Sequence, residues 1–185
     1  REDPSECFHL DTYQGIPENG YTSMFKNMLN SIKVNLNCKP KDYQNKKYDI
    51  LIYTGKIDEF FDYCYGWLEY RPLKIQFETA KPRPDLFQLN ECNNWNSWTR
   101  SVDHSHWHKQ KLNQTVISRE YPCEHDKNNL PFYPKPFGNN PEKYKKYKKI
   151  ADRLNDVIFV GRLATYKYLD MDDAVAQVFN KLNKI

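Results

Sequence analysis

The pattern of apolar and polar positions predicts a chain of mixed helices and strands. Apolar residues recur every three or four positions over residues 20–32, which is the spacing of one face of an amphipathic helix. Residues 32–36 alternate as a short strand does, and residues 48–53 form a nearly continuous apolar run, typical of a strand covered on both faces. The sequence before that run contains no βαβ unit, so we expect the strands that flank it to lie outside this chain.

Further strands and two more helices are predicted downstream. Residues 68–77, 86–90 and 115–121 have the composition of strands, and the turns between them are rich in proline, asparagine and lysine, which fits an antiparallel sheet. A lysine-rich helix is expected over residues 141–154, followed by a buried strand that ends at Gly161 and a final helix with acidic residues in its first turn. Together these elements predict the α+β fold class.

Composition narrows the possible classes of function. The formal charge is +4, and much of the excess lies in the lysines of one predicted helix, which we interpret as a solvated face rather than a nucleic-acid footprint. No apolar run approaches the roughly 20 residues of a membrane span. Five cysteines without a CxxC pair predict neither a disulfide framework nor a zinc ribbon, which favours a reducing, cytoplasmic location.

Aromatic residues are abundant, with 14 tyrosines and 10 phenylalanines among 185 residues. A tyrosine offers an apolar face and a hydroxyl group, so the excess fits either a partly wet cleft for a polar ligand or an aromatic core. Two stretches combine aromatic residues with an arginine: residues 65–71, which end at Arg71, and residues 161–173, where Arg162 follows a strand and a glycine. A guanidinium group binds phosphate through parallel hydrogen bonds, although a surface salt bridge would give the same pattern around Arg71.

A third stretch, residues 98–108, carries three histidines at alternate positions. If the stretch is extended, His104, His106 and His108 lie on one face, and imidazole is a common metal ligand. Asp103 would then point to the opposite face, and no carboxylate can be placed behind the histidines to orient them. We therefore predict no metal site.

Successive motifs along the whole chain resemble those of the UDP-galactopyranose mutase family, in the same order and with matching spacing. The most specific is VGRLATYKYLDMD at residues 160–172. The others are YQGIP at 13–17, GYT at 20–22, YTGKID at 53–58, FDY at 61–63, LEYR at 68–71, TR at 99–100, ISREY at 117–121 and FYP at 132–134. The resemblance implies an isomerase that interconverts the pyranose and furanose forms of a UDP-sugar, UDP-galactose, for cell-surface glycan synthesis, with reduced FAD as cofactor and no net redox change.

The same resemblance implies roles for individual residues. Arg71 and Arg162 match arginines that bind the substrate diphosphate, and two guanidinium groups there would make UDP both an anchor and a good leaving group. The implied catalytic residues are Arg71, Arg162 and Asp170, and the implied substrate contacts are Arg71, Arg100, Tyr133, Arg162 and Tyr168. The implied cofactor contacts are Arg162, Tyr168, Leu169, Asp170, Met171 and Asp172.

One departure from the family shapes the expected organisation, because the dinucleotide-binding motif GxGxxG does not occur in this sequence. We therefore expect an antiparallel substrate-domain sheet with helices, together with pieces of an incomplete Rossmann-like FAD domain. The expected segments are a helical segment and linker at 1–47, an FAD-domain strand and crossover at 48–66, the substrate sheet at 67–125, and a helix-strand-helix segment at 126–185 that closes the site.

Two functional hypotheses follow from this organisation. In the first, the chain is the substrate half of a mutase and works with an amino-terminal FAD domain, which is either a partner chain or a covalently attached upstream domain. The isolated chain would then hold FAD weakly and be inactive, and a homodimer is possible. In the second, the chain is a non-catalytic nucleotide-sugar-binding or structural module derived from the mutase and lacking FAD.

Overall fold

The computed structural model describes residues 12–39, 42, 46–107, 112–124, 126 and 130–183. The chain divides into two compact units, Arg1–Lys39 and Pro40–Ile185. None of the described helices is long and apolar enough to cross a membrane. The mixture of helices and strands confirms the predicted α+β class.

The first unit contains helix α1, Gly20–Met28, which is shorter than the predicted helix over residues 20–32. The helix ends before a Leu-Asn-Ser sequence, in which polar side chains compete for backbone hydrogen bonds. The strand predicted at residues 32–36 is wrong. Val34 and Leu36 are exposed, and no described strand pairs with this segment, so its backbone gains no ladder hydrogen bonds.

The described part of the second unit is built from short strands and helices. Its strands are β1 (Leu51–Tyr53), β2 (Tyr70–Arg71), β3 (Leu73–Ala80), β4 (Gln88–Asn90), β5 (Arg100–Asp103), β6 (Thr115–Pro122), β7 (Tyr133–Pro134) and β8 (Val157–Phe159). Its helices are α2 (Ile57–Phe60), α3 (Asn140–Ala151), α4 (Gly161–Ala164) and α5 (Met171–Leu182).

The predicted antiparallel sheet is confirmed, with the strand order β3-β6-β5-β4. Strands β3 and β6 pair along their whole length, from Leu73 opposite Pro122 to Ala80 opposite Thr115. The strand β5 was not among the predicted strands, because its sequence, RSVD, lies inside the histidine-rich stretch and has a single aliphatic residue.

The segments at residues 48–53 and 157–160 do pair, as the parallel strands β1 and β8 with Leu51 opposite Val157 and Tyr53 opposite Phe159. The described residues, however, cover only one face of β1: Tyr53 is 2% exposed whereas Ile52 is 45% exposed. Successive side chains of a strand point to opposite faces, so one face of this two-stranded sheet is buried within the described chain and the other is open.

The main core of the second unit lies between α2, α3 and the chain around α4, and it is unusually rich in tyrosine. Its buried members are Ile57, Leu68, Tyr70, Tyr147, Ala151 and Tyr166. The hydroxyl groups of these tyrosines are hydrogen-bonded: Tyr147, for example, accepts from the amide of Tyr65 at 2.9 Å and donates to the carbonyl of Gly66 at 2.8 Å. The aromatic excess in the sequence therefore serves the core at these positions.

A buried carboxyl group lies beside this core. Asp58, in α2, is 0% exposed, and its Oδ2 accepts a hydrogen bond from the amide of Leu68 at 2.9 Å. Its Oδ1 is buried without a hydrogen-bond partner among the described residues. Burial raises the pKa of Asp58 against the lowering effects of the Leu68 amide and of Lys56.

Replacing Asp58 with asparagine is expected to remove a pH-dependent loss of stability. Because the folded-state pKa is raised, protonated Asp58 stabilises the fold most below its ordinary pKa of about 4, and that contribution is lost as the pH rises. The difference in free energy of unfolding between Asp58→Asn and the wild type should therefore increase in favour of the variant between pH 4 and pH 8. Urea denaturation at both pH values measures it, and a constant difference would contradict the assignment.

Candidate functional site

The first element of the site is the short antiparallel pair of β2 and β7, in which Arg71 lies opposite Tyr133. Backbone hydrogen bonds extend the pairing in both directions: the amide of Phe132 donates to the carbonyl of Arg71 at 3.3 Å, and the amide of Lys135 donates to the carbonyl of Glu69 at 3.1 Å. Arg71 is exposed although its neighbour Tyr70 is buried, because adjacent side chains of a strand face opposite sides.

The second element is Arg162, the second residue of α4. Its Nε donates to the carbonyl of Leu169 at 3.1 Å, its Nη2 donates to the same oxygen, and its Nη1 donates to the carbonyl of Phe132 at 3.2 Å. Of the five N–H groups of a guanidinium, these bonds leave one on each terminal nitrogen for a ligand. The backbone therefore holds the guanidinium in one orientation and leaves its outer edge available.

Two tyrosines surround this guanidinium. The central carbon of the Arg162 guanidinium lies 5.1 Å from the ring centre of Tyr133 and 4.6 Å from that of Tyr168. The rings themselves stack, with centres 5.6 Å apart and planes 9° apart. Tyr168 remains 64% exposed, so the cluster lies at the surface and not in a closed cavity. A cation beside two aromatic faces is stabilised by their electron-rich surfaces.

The third element is the amino-terminus of α5, where Asp170 and Asp173 form a capping box. The amides of Met171 and Asp172 have no partner within the helix, as is general for the first turn of a helix. Met171 is 71% exposed. This corner therefore offers backbone N–H donors next to an exposed apolar side chain, and three aspartates, Asp170, Asp172 and Asp173, lie at the N-cap and in the first turn.

Arg100 lies apart from these residues in the described contacts. It is the first residue of β5 in the antiparallel sheet, and its guanidinium is 3.4 Å from Glu120 Oε1 and 3.4 Å from Asn90 Oδ1. Of the described contacts, none joins it to Arg162, Tyr133 or Tyr168. The structure thus brings four of the five predicted substrate residues to one surface, through the register of Arg71 with Tyr133 and the contacts of Arg162.

The histidine-rich stretch does not present its side chains as an extended strand would. Residues His104–Trp107 form a 3₁₀ helix, in which alternate side chains do not share a face. His104 shares a hydrogen bond with Ser118 at 2.9 Å and His106 with the carbonyl of Arg83 at 2.8 Å, whereas His108 lies outside the described residues. Within the described ranges no three potential ligands are grouped closely enough to hold a metal ion.

A groove of about 350 Å³ lies elsewhere in the second unit, between α3 and the parallel pair β1 and β8. None of the residues predicted for substrate or cofactor lines it; its walls include Ile50, Tyr144, Lys148, Phe159 and Lys181. The candidate site is therefore defined by the arrangement of charge and aromatic rings and not by this groove.

Arg71, Tyr133, Arg162 and Tyr168 together form what we call the arginine surface. The chemistry available there is anion binding. The outer N–H groups of Arg162 and the exposed guanidinium of Arg71 can each make charge-assisted hydrogen bonds to phosphate oxygens. No carboxylate of the described residues forms an ion pair with either arginine, so neither charge is neutralised within the described chain. Two such cations, with the rings of Tyr133 and Tyr168 beside Arg162, suit a diphosphate.

In a comparison with known proteins, the family model described as UDP-galactopyranose mutase matches residues 1–168. The chain belongs to the UDP-galactopyranose mutase family. The resemblance drawn from the sequence motifs is thereby confirmed, and the residues that form the arginine surface all lie within the matched range.

Individual relatives of this mutase-family chain carry two different names. It is 32% identical over 98% of its length to the dTDP-fucopyranose mutase of Escherichia coli, and 34% identical over 93% of its length to the UDP-galactopyranose mutase of Mycoplasma genitalium. It is also 30% identical over 89% of its length to a probable UDP-galactopyranose mutase of Klebsiella pneumoniae. The chain spans about half the length of these curated relatives, between 44% and 52%.

Sequence reasoning missed residues that hold Arg162 and its neighbours in place. Tyr166 has a backbone φ of 50° and a ring that is 5% exposed, and the carbonyl groups of Phe132 and Leu169 orient Arg162. The motif that contains Tyr166 was recognised, but a left-handed backbone at a tyrosine and a role for a carbonyl group leave no signal in residue type.

Proposed function

We propose that this chain supplies the nucleotide-sugar side of a UDP-galactopyranose mutase, an isomerase that interconverts the pyranose and furanose forms of UDP-galactose for glycan synthesis. The observation that carries the proposal is the Arg162 guanidinium, fixed by the carbonyls of Phe132 and Leu169 beside Tyr133 and Tyr168. A cation that is oriented before the ligand arrives loses little conformational entropy when it binds a diphosphate.

In this proposal the two arginines make different contributions to binding the diphosphate. Arg162 contributes its two outer N–H groups. Arg71, on β2, neutralises the remaining negative charge. Charge that develops on UDP as its bond to the sugar breaks is stabilised by the same groups, so both arginines act catalytically as well as in binding. Tyr133 and Tyr168 supply hydroxyl groups to the phosphates and limit the access of water.

The amino-terminus of α5 fits a flavin ring better than a phosphate. Asp170, Asp172 and Asp173 would repel a phosphate, whereas the first-turn amides can donate to a neutral carbonyl at a ring edge, and Met171 offers apolar surface. We therefore assign Arg162, Tyr168, Leu169, Asp170, Met171 and Asp172 to the cofactor side. Reduced FAD would supply the nucleophile for the anomeric carbon.

We also propose an FAD-binding partner for this chain, either an upstream domain or a separate polypeptide. The support is the open face of the β1 and β8 pair together with a stripe of exposed apolar residues on α5, at Met171, Val175 and Phe179. Parallel sheets are normally covered on both faces, and residues at four-residue spacing form one side of a helix. By analogy with the family we place the assembled enzyme in the cytoplasm, as a possible homodimer, and we assign Arg100 to the substrate.

Titration calorimetry with UDP, dTDP and UMP tests the proposed diphosphate site. We expect UDP to bind at least tenfold more tightly than UMP, because a second phosphate engages a second guanidinium. The ratio of UDP to dTDP affinity then shows whether the site distinguishes the two nucleosides, which differ in the base methyl group and the ribose 2′-hydroxyl. The different names of the relatives raise this question. Equal affinity for UDP and UMP, or binding of neither, would argue against the proposed function.

A further inference from the structure

Tyr166 connects the two elements that carry the arginines. It follows the short helix α4 and has a left-handed backbone, with φ of 50°, a conformation that usually terminates helices at glycine. The amide of Lys167 donates to the carbonyl of Arg162 at 3.2 Å and completes the turn. A bulky residue in this conformation is strained, so the surrounding contacts must stabilise it.

Those contacts join Tyr166 to the extended ends of the strands β2 and β7. The Tyr166 hydroxyl donates to the carbonyl of Glu69 at 2.5 Å, with the carbonyl of Lys135 also near at 3.1 Å, and it accepts from the amide of Lys135 at 3.2 Å. Glu69 and Lys135 are the pair that extends the ladder beyond β2 and β7. Glu69 lies two residues before Arg71, and Lys135 lies two residues after Tyr133. Within each strand the two residues therefore point to the same face.

The ring of Tyr166 is also held in place, by contacts with two other tyrosine rings. It packs edge to face on Tyr70, with ring centres 5.4 Å apart, and stacks on Tyr144 at 5.7 Å. Burial raises the pKa of Tyr166 to about 12, so the hydroxyl stays protonated and able to donate at neutral pH. Asn140 also binds the amide of Glu69 and the carbonyl of Lys135, which holds this end of the ladder from the α3 side.

We infer that Tyr166 is a positioning residue, whose hydroxyl sets the place of Arg71 and Tyr133 relative to Arg162 and Tyr168. This inference rests on the proposed function, in that the ligand of the two arginines is a nucleoside diphosphate. Tyr166 belongs to the segment between Arg162 and Tyr168. Its hydroxyl bonds the ends of β2 and β7, the two strands that carry Arg71 and Tyr133, so it joins the two halves of the site. A displacement of about 1 Å is enough to weaken a bidentate site substantially.

The chain offers a matched control in Tyr147. Both tyrosines belong to the same core and are 5% exposed or less, and the hydroxyl of each bonds backbone groups of two other residues. Tyr147, however, bridges Tyr65 and Gly66, which lie in the turn before β2 and contact none of the site residues by this bond. Tyr166→Phe and Tyr147→Phe each lose one hydroxyl and should lower the melting temperature by similar amounts.

Calorimetric titration with UDP separates a positioning role from a structural one. Tyr166→Phe is expected to raise the Kd for UDP about tenfold, and Tyr147→Phe to leave it within twofold of the wild type. If the two variants change the Kd equally, or neither changes it while the wild type binds, Tyr166 has only a structural role and the inference is overturned.

A second measurement does not depend on UDP binding. The Nε–H group of Arg162, which donates to the Leu169 carbonyl, should give a protected side-chain NMR signal that is assigned by its loss in Arg162→Lys. We expect faster exchange with water in Tyr166→Phe and unchanged exchange in Tyr147→Phe; equal exchange in both overturns the inference. A wild type that fails to bind UDP counts against the proposed function alone, because this signal still decides the role of Tyr166.

Discussion

Replacing Arg162 with alanine is expected to weaken UDP binding by about a hundredfold. The substitution removes the oriented guanidinium and its charge-assisted bonds to phosphate, each of which contributes about 1.5–3 kcal/mol. It also releases the carbonyl groups of Phe132 and Leu169, which the guanidinium now holds together. Titration calorimetry on the wild type and the variant, together with thermal unfolding of both, measures the binding and the structural parts of the effect.

Arg119→Ala is the matched control for that experiment. Arg119 is also a partly exposed arginine, but it lies in the antiparallel sheet and pairs with Glu78 at 2.6 Å. Its removal changes the net charge equally and should alter the affinity for UDP by less than about twofold, because a surface ion pair contributes little. If the two variants weaken UDP binding equally, the effect is one of overall charge and the assignment of Arg162 is wrong.

The second large effect is expected at Asp103, where Asp103→Asn should lower the free energy of unfolding by about 3 kcal/mol. Asp103 is 0% exposed and accepts from the amide of Arg83 at 2.5 Å, from the amide of Ser105 at 2.9 Å and from the Thr115 hydroxyl at 2.9 Å. An asparagine keeps one acceptor and turns an NH₂ group toward a donor, so at least one of these bonds is replaced by repulsion.

The pH dependence of the wild type gives an independent check on Asp103. Burial acts to raise its pKa, but the hydrogen bonds from Arg83, Ser105 and Thr115 outweigh burial and hold the pKa well below its usual range. The stabilisation is therefore complete above the ordinary pKa of about 4 and is lost as the pH falls further. Urea denaturation at pH 7 and pH 3 should show the gap between wild type and Asp103→Asn closing in acid.

Asp152→Asn serves as the control for Asp103→Asn. Asp152 is an exposed carboxylate that accepts from the Lys148 ammonium at the end of α3, and its substitution should cost less than about 0.5 kcal/mol. Equal urea midpoints for the two variants would contradict the structural role of Asp103. The comparison also distinguishes a buried, fully bonded carboxylate from a solvated one of the same residue type.

Much of the second unit was predictable from sequence because its signals are local. Strand composition and turn residues located β3 and β6, and the acidic residues 172 and 173 located the start of α5. The failures have a common physical cause, since they depend on partners distant in sequence. Residues 32–36 alternate correctly but find no described strand to pair with, and β5 has a single aliphatic residue yet pairs with β4 and β6.

The same distinction applies to the candidate site. The arginines and tyrosines were identified by motif, yet the orientation of Arg162 depends on carbonyl groups of Phe132 and Leu169, which every residue possesses. The placement of Arg71 opposite Tyr133 depends on a register between segments about 60 residues apart. Residue type alone does not encode such relations.

The parallel pair of β1 and β8 has a consequence for the order in which the chain folds. Its strands are separated by roughly one hundred residues, and the entire antiparallel sheet is formed by the chain between them. Closing so long a loop costs more conformational entropy than closing the shorter loops between β3 and β6 and between β5 and β6, so we expect the parallel pair to form later. Arg162 lies three residues after the end of β8, so we expect the proposed anion-binding surface to be assembled only after this pair has closed.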